Sequence, residues 1–249
     1  MLKEERHRRI LDLLAADGRV VAADLQGVLG VSGYTIRRDL DELADARKLQ
    51  RVHGGALARS RVATTYEARS AQALPGKLAT AKAAARLLRH GATAIVDGGS
   101  TALALVDALP PDHSGTFVTH SPPVAQALAR RPGCETILVG GTVDPRAMVA
   151  TGAKTIDGYK GITADVLFLG VWALHAEHGI TGGYFEESEV RRALLHRADR
   201  VVGLASAEKL NTVAPFPVGP ATKLTHLATD ASADAVRPFA ELGIAIARG

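Results

Sequence analysis

The chain has 249 residues, of which 47% are hydrophobic and 22% charged, with a single cysteine; this excludes a disordered chain, a collagen-like chain and a disulfide scaffold. Its most apolar run, Val166 to Leu174, falls far short of the roughly 18 residues that a membrane span needs. The N-terminus mixes charges of both signs without the apolar stretch of a secretory signal. With lone Cys134 unable to form an internal disulfide, a soluble cytoplasmic protein with no membrane partner is expected. Net charge is +4, and residues 1–61 hold most of it, with 12 Lys and Arg against 9 Asp and Glu. So small a surplus is no signal of nucleic-acid binding; where the arginines sit has to decide it.

From the N-terminus, Ile10, Leu11, Leu13 and Leu14 recur at helical spacing before Gly18, which predicts a helix over residues 3–16. A second, shorter helix is predicted from Ala22 to Leu29, with Leu25, Val28 and Leu29 as its stripe and Gly30 as its stop. Ser32 then stands as an N-cap before a third helix in which Ile36, Leu40 and Leu43 are spaced i, i+4, i+7. Leu49–Val52 and Ala56-Leu57 flank His53-Gly54-Gly55 and read as a hairpin. Two helices joined by a tight turn and followed by a hairpin form a winged helix-turn-helix. If Ile36, Leu40 and Leu43 face the core, then Gly33, Tyr34, Arg37 and Arg38 project elsewhere, toward phosphates or base edges. The bland reading of Arg37-Arg38 is a solvated face; the surrounding pattern favours the DNA reading.

Residues 58–74 show little periodicity and read as a linker that holds a short helix around Tyr66 to Ala73. From residue 75 to 249 the pattern alternates. Helices at Lys77–Leu88, Thr101–Leu109, Pro123–Arg130 and Ser188–Ala198 are interleaved with strands at Ala92–Val96, Thr116–Thr119, Thr136–Val139, Val166–Leu169, Val201–Leu204 and Leu224–Leu227. Such alternation predicts an α/β domain with a mainly parallel sheet. The expected organisation is therefore a winged helix-turn-helix at 1–57, a linker at 58–74 and an α/β domain at 75–249.

Asp97-Gly98-Gly99-Ser100-Thr101 follows a strand and opens a helix. It is either a phosphate loop, with backbone N–H groups and two hydroxyls at a helix N-terminus, or an ordinary turn capped by Ser100 or Thr101. Thr119-His120-Ser121 and Gly140-Gly141 also follow strands and could line the same crevice. His120 is either a ligand-facing group or a hydrogen-bonding loop residue. His175, Glu177 and His178 lie in a Gly-flanked loop, as a plain loop or, less well supported, a zinc site. Glu186, Glu187 and Glu189 with Arg191 and Arg192 open a helix, where acids suit the dipole, and most of that cluster reads as solvated surface. Lys209 follows another strand and either meets an anion or points to water.

The strings Ser32-Gly33-Tyr34-Thr35-Ile36-Arg37-Arg38-Asp39-Leu40 and Val52-His53-Gly54-Gly55-Ala56, with Arg6, Ile10 and Leu14, resemble the DNA-binding module of the DeoR family of bacterial transcriptional regulators. The resemblance continues through Asp97–Thr101, Val118–Ser121, Gly140-Gly141, Glu187, Arg191 and Lys209, which resemble that family's sugar-phosphate sensor domain, akin in fold to ribose-5-phosphate isomerase. His120 stands where the family has Asn, Gly76-Lys77 where Glu-Lys is common, and Ala205–Leu210 departs from the usual Asp-x-Ser-Lys-Phe. The resemblance implies a transcription factor, most simply a repressor, that binds double-stranded operator DNA through Ser32, Gly33, Tyr34, Thr35, Arg37, Arg38, Arg51 and His53. It also implies a phosphorylated sugar or polyol effector held by Asp97, Gly98, Gly99, Ser100, Thr101, Thr119, His120, Ser121, Gly140, Gly141, Glu187, Arg191 and Lys209. No catalytic residue, cofactor or metal is expected, and a homodimer or homotetramer is. The enzyme alternative is a sugar-phosphate isomerase with an added DNA-binding module; a third reading gives the second domain only an oligomerising role.

Overall fold

The computed structural model describes residues 1–249. Helix α1 (Lys3–Asp17) buries Ile10 and Leu14 and stops where Gly18 turns left-handed at φ 72° and donates its N–H to the Leu14 carbonyl. Glycine reaches that conformation without a Cβ clash. The chain continues as β1 (Arg19–Val21), α2 (Ala22–Leu29), α3 (Gly33–Asp45), β2 (Leu49–Val52) and β3 (Gly55–Ala58). Strand β1 had no signature of its own, because three residues between two helices are too few for a period-2 pattern to register. It pairs antiparallel with β3 and makes the wing three-stranded, in the order β1-β3-β2. Ten buried side chains, among them Ile10, Leu14, Leu25, Ile36, Leu40 and Leu43, form the core of this unit. In so small a core, truncating Leu40 to Ala would cost about 2–5 kcal/mol.

The stretch read as a linker is held down rather than free. The Ser60 N–H donates to the Val213 carbonyl and the Val213 N–H to the Ala58 carbonyl, both at 3.0 Å. Further along, the Tyr184 hydroxyl donates to the Thr64 carbonyl, and Thr65 caps α4 (Tyr66–Ala71). Contacts spanning more than a hundred residues leave no mark on local periodicity.

Helix α5 (Leu74–Ala85) leads into the α/β region: β4 (Thr93–Val96), α6 (Ser100–Ala108), β5 (Gly115–Thr119), α7 (Pro122–Ala129), β6 (Cys134–Leu138), β7 (Thr142–Asp144), β8 (Val149–Thr151), α8 (Ala153–Gly158), β9 (Ala164–Gly170), β10 (Ala173–His175), β11 (Gly179–Gly182), α9 (Phe185–Leu194), β12 (Ala198–Leu204), β13 (Phe216–Gly219), β14 (His226–Thr229), α10 (Ala233–Glu241) and β15 (Ala245–Arg248). Seven strands form one parallel sheet, ordered β15-β14-β12-β9-β4-β5-β6. The α/β class expected from the sequence is the one observed. Val166, Leu167, Phe168 and Leu169 of central β9 are wholly buried, as a strand covered by helices on both faces requires. The β7–β8 hairpin, the small sheet β10-β11-β13, α10 and β15 were not anticipated. No helix is long and apolar enough to cross a membrane.

The strand order fixes where a ligand can sit. From β4 the chain builds outward through β5 to β6, then returns to β9 and builds the other way through β12 and β14 to β15. The direction reverses between neighbours β4 and β9, and the crevice at their carboxyl ends is where open α/β sheets bind ligands.

Candidate functional site: a helix surface and a cationic cavity

On α3, the Ser32 side chain accepts the Thr35 N–H at 3.3 Å and its hydroxyl meets Thr35 Oγ1 at 3.0 Å, which fixes the start of the helix. Ile36, Asp39, Leu40 and Leu43 turn inward, and Tyr34, Arg37 and Arg38 are exposed. Arg37 has no carboxylate partner, whereas Arg38 pairs with Glu42 at 3.3 Å, one turn on. Gly33 lies beside the Gln26 side chain of α2, whose Oε1 is 2.9 Å from where a Cβ would stand. Arg51, of the set expected to face DNA, is half-buried on β2. It donates to Asp41 Oδ1 at 2.8 Å and to the Gly55 carbonyl at 2.7 Å, so it braces the wing against α3. His53 stands exposed in the turn between β2 and β3. Behind this surface, buried Asp39 accepts from Arg6 Nη2 at 2.8 Å and lies 3.1 Å from His7 Nε2, tying α1 to α3.

At the β4/β9 crevice, Gly98, Gly99, Ser100, Thr101, Glu187, Arg191 and Lys209 line a single cavity. The first turn of α6 directs N–H groups that lack helical acceptors into it. Gly99 holds φ 103° and ψ 168°, a region essentially closed to other residues. Gly170 lets β9 end against the loop, since a Cβ there would lie 2.8 Å from the Gly98 carbonyl oxygen. Asp97 lies wholly buried beneath the loop. It accepts from the Gly98 N–H at 2.7 Å, the Gly170 N–H at 2.9 Å and Arg191 Nε at 2.7 Å. It therefore shapes the site from below, and its carboxylate is fully occupied by the protein.

Arg191 also reaches Glu187 at 2.8 Å. These two, the members expected to meet the effector, are buried, while Glu186 and Arg192 are exposed and Glu189 is half-buried. Burial raises the Glu187 carboxyl despite its Arg191 partner. Desolvation works against Arg191, and Asp97 with Glu187 outweighs it and keeps the guanidinium charged. Two further cations escaped sequence reasoning. Arg69 of α4 lines the cavity with its guanidinium 5.1 Å from the Trp172 ring centre, and Lys77 of α5 lies behind it, donating to the Arg69 carbonyl. Burial lowers both. It also pushes Lys209 down to about 8, with Glu208 opposing and Lys77, Arg191 and Arg69 adding repulsion. Nothing local marked Arg69, since its burial depends on the folding of its segment onto the domain; the one available signal was a lone tryptophan just past the end of β9.

Other expected residues lie outside the cavity. Thr119, His120 and Ser121 are fully buried behind its wall. His120 Nδ1 meets the Tyr159 hydroxyl at 2.9 Å while Nε2 stands 3.4 Å from Asp97 Oδ1. Burial pushes this imidazole down to about 4, so it is neutral and supports the loop. Gly140 and Gly141 border a separate concavity with Lys154 and Ile162. His175 Nδ1 accepts the backbone N–H groups of Glu177 and His178, and Glu177 pairs with Arg19 at 2.9 Å, so these groups hold the loop and its neighbour instead of a metal.

Residues 6–62 match the family described as the DeoR-like helix-turn-helix domain, and residues 72–231 match the DeoR C terminal sensor domain. The chain belongs to the DeoR family. Among its relatives is the HTH-type transcriptional regulator GlpR of Haloferax volcanii, 34% identical over 238 residues, which are 94% of this chain and 92% of the relative. GolR of Listeria innocua is 31% identical, covering 92% and 91%. The glycerol-3-phosphate regulon repressor of Escherichia coli is 29% identical, covering 93% and 92%. Like these DeoR proteins, the chain is a DNA-binding transcriptional regulator. Ribose 5 phosphate isomerase A from Neisseria gonorrhoeae aligns with a TM-score of 0.39 at 15% identity, over 61% of this chain and 56% of that one, a likeness too distant to carry an argument.

Proposed function

We propose that this DeoR-family protein is a cytoplasmic repressor. Its reader, residues 1–57, grips operator DNA through Ser32, Tyr34, Thr35, Arg37, Arg38 and His53, and its sensor, residues 75–249, answers to a phosphorylated sugar or polyol. A homodimer or homotetramer is the working form, because a lone winged helix reads too few base pairs for specific affinity. The observation that carries the effector reading is the charge balance of the cavity. Arg191, Arg69 and Lys209 outnumber the carboxylates Asp97 and Glu187 by one, and with Asp97 and one Glu187 oxygen held on Arg191, Arg69 and Lys209 face an anion at the α6 N-terminus. Glycerol 3-phosphate is the first ligand to try, given the name of the Escherichia coli relative.

An enzymatic role has little support. Isomerisation next to a carbonyl needs a positioned, ionised carboxylate base; Asp97 is fully occupied beneath the loop, and burial favours the protonated form of Glu187, whose Oε2 is the one carboxylate oxygen here without a partner. Fluorescence of the only tryptophan, Trp172, reports directly on the cavity wall it forms. Titration with glycerol 3-phosphate and a panel of sugar phosphates is expected to shift that signal and to change operator affinity. Turnover of any sugar phosphate, or a flat Trp172 signal across the panel, would overturn the reading. On the DNA side, Arg37→Ala is expected to cost about 1–3 kcal/mol of operator binding if Arg37 meets a base edge.

A further inference from the structure

The cavity at the α6 N-terminus is small, about 30 Å³, so a phosphate ester that fills it presses on its walls. Two walls, Gly98–Thr101 and Gly170–Trp172, are continuous with central strands of the sheet. A third is α9, with Glu187 and Arg191, and the remaining two are the segment carrying Val62 and Arg69 and the one carrying Lys209, both of which also hold the reader.

Residues 206–213 form a stiff unit. The Lys209 N–H donates to the Ser206 carbonyl, the Leu210 N–H to the Ala207 carbonyl, and Thr212 Oγ1 to the Lys209 carbonyl at 2.8 Å. The unit is anchored at one end by Asp230, which accepts the Ala207 N–H at 2.7 Å, and just beyond the other by Thr181 Oγ1, which accepts the Ala214 N–H at 2.9 Å. Lys209 points from one side into the cavity. On the other side Asn211, left-handed at φ 56°, lies directly on the turn after α1, so that a Cβ added to Gly18 would stand 2.6 Å from both its Cβ and its carbonyl oxygen. Val213 closes the contact through its two hydrogen bonds with Ala58 and Ser60. Next to these contacts the seam is loosely packed, with a cleft of about 460 Å³ between Leu11, Leu14 and Ala15 of the reader and Leu210, Asn211 and Thr212. The cleft leaves unfilled space beside this unit on the reader side of the seam.

We propose that Ser206–Val213 is the coupling element of this regulator and that Asn211 is the positioning residue through which the reader senses the cavity. An anion that draws Lys209 toward the α6 N-terminus turns the unit between its two anchors, and Asn211 carries the movement to Gly18 and the end of α1. This rests on the effector reading of the cavity. The two are separable, because ligand binding and its transmission have different readouts.

Asn211→Gly is the discriminating variant. Its left-handed backbone suits glycine, so the loop keeps its shape while the side chain pressed against Gly18 is lost. Glycerol 3-phosphate, with inorganic phosphate as the minimal probe, would be titrated against Trp172 fluorescence with and without operator DNA. In the wild type each ligand must change the affinity of the other by the same factor. In Asn211→Gly both binary affinities are expected to stay within about twofold, while the coupling factor falls toward one. Gly18→Ala, a wedge on the reader side of the same contact, should also lower the coupling without changing phosphate affinity. Undiminished coupling in Asn211→Gly, with the Trp172 response intact, overturns this proposal alone. No Trp172 response to either probe overturns the cavity reading and this proposal with it.

Discussion

Lys209 is a buried ammonium facing the cavity, and its lowered proton affinity has a consequence for binding. In the empty protein burial brings it down to about 8, with Glu208 opposing and Lys77, Arg191 and Arg69 adding to the fall. Below that pH it already carries its charge, and a phosphate dianion binds without taking up a proton. Above it, binding must recapture the proton, so affinity should fall toward about tenfold per pH unit. On the acid side affinity should fall again as the ester itself protonates, around pH 6. Calorimetric titrations across this range in the wild type and in Lys209→Ala check it. The variant should bind more weakly and lose the alkaline limb; an affinity that stays flat across that limb in the wild type would count against Lys209 as a phosphate ligand. His120 gives no such signal, because burial keeps it neutral down to about pH 4.

The loop between β4 and α6 is the element on which the effector reading turns. Gly99 occupies a backbone region that costs other residues about 1–3 kcal/mol, and no atom lies within 4 Å of the place where its Cβ would be. Gly99→Leu should therefore fold with a modest loss of sensor stability, fill the space above the loop and abolish the Trp172 response, while operator binding survives. A variant that still answers with an unchanged midpoint would place the ligand elsewhere. This loop was legible in the sequence because its signal is local: an apolar run, two glycines, two hydroxyls and a helix. The recognition helix was legible for the same reason, through Ser32 and the spacing of Ile36, Leu40 and Leu43. What could not be read was whatever depends on strand order and burial. His120 and Gly140-Gly141 follow strands as the loop does, yet β5 and β6 lie outward of β4, away from the β4/β9 switch point, so that His120 is buried behind the loop and Gly140-Gly141 border a separate concavity. Arg69 enters the cavity only because residues 58–72 lie down on the sheet domain.

Across the whole molecule, the reader and the sensor have separate cores, ten buried side chains in one and two larger clusters on the faces of the sheet in the other. The seam between them is thin. Beyond the Ala58, Ser60 and Val213 bonds and the Asn211 contact it adds the Ser60 hydroxyl bond to the Trp172 carbonyl at 3.3 Å and the Arg19–Glu177 pair, and a pair so exposed is worth under about 1 kcal/mol. The two halves should therefore melt in separate steps, and Asp39 can show it. Burial alone would raise its carboxyl, and Arg6 with His7 outweighs that and holds it below the ordinary carboxylate range. A group depressed in this way stabilises the fold above its unfolded pKa and ceases to as the pH falls through its folded one, so acid should loosen the reader first. Asp39→Ala strands the largely buried Arg6 guanidinium and should cost the reader about 3 kcal/mol, the low end for breaking such a pair. In far-UV circular dichroism an early transition should then split off, lowered relative to wild type, while Trp172, in the sensor, reports an unchanged midpoint. If the two probes fall together, the seam is stronger than its contacts indicate, and the halves unfold as one cooperative unit.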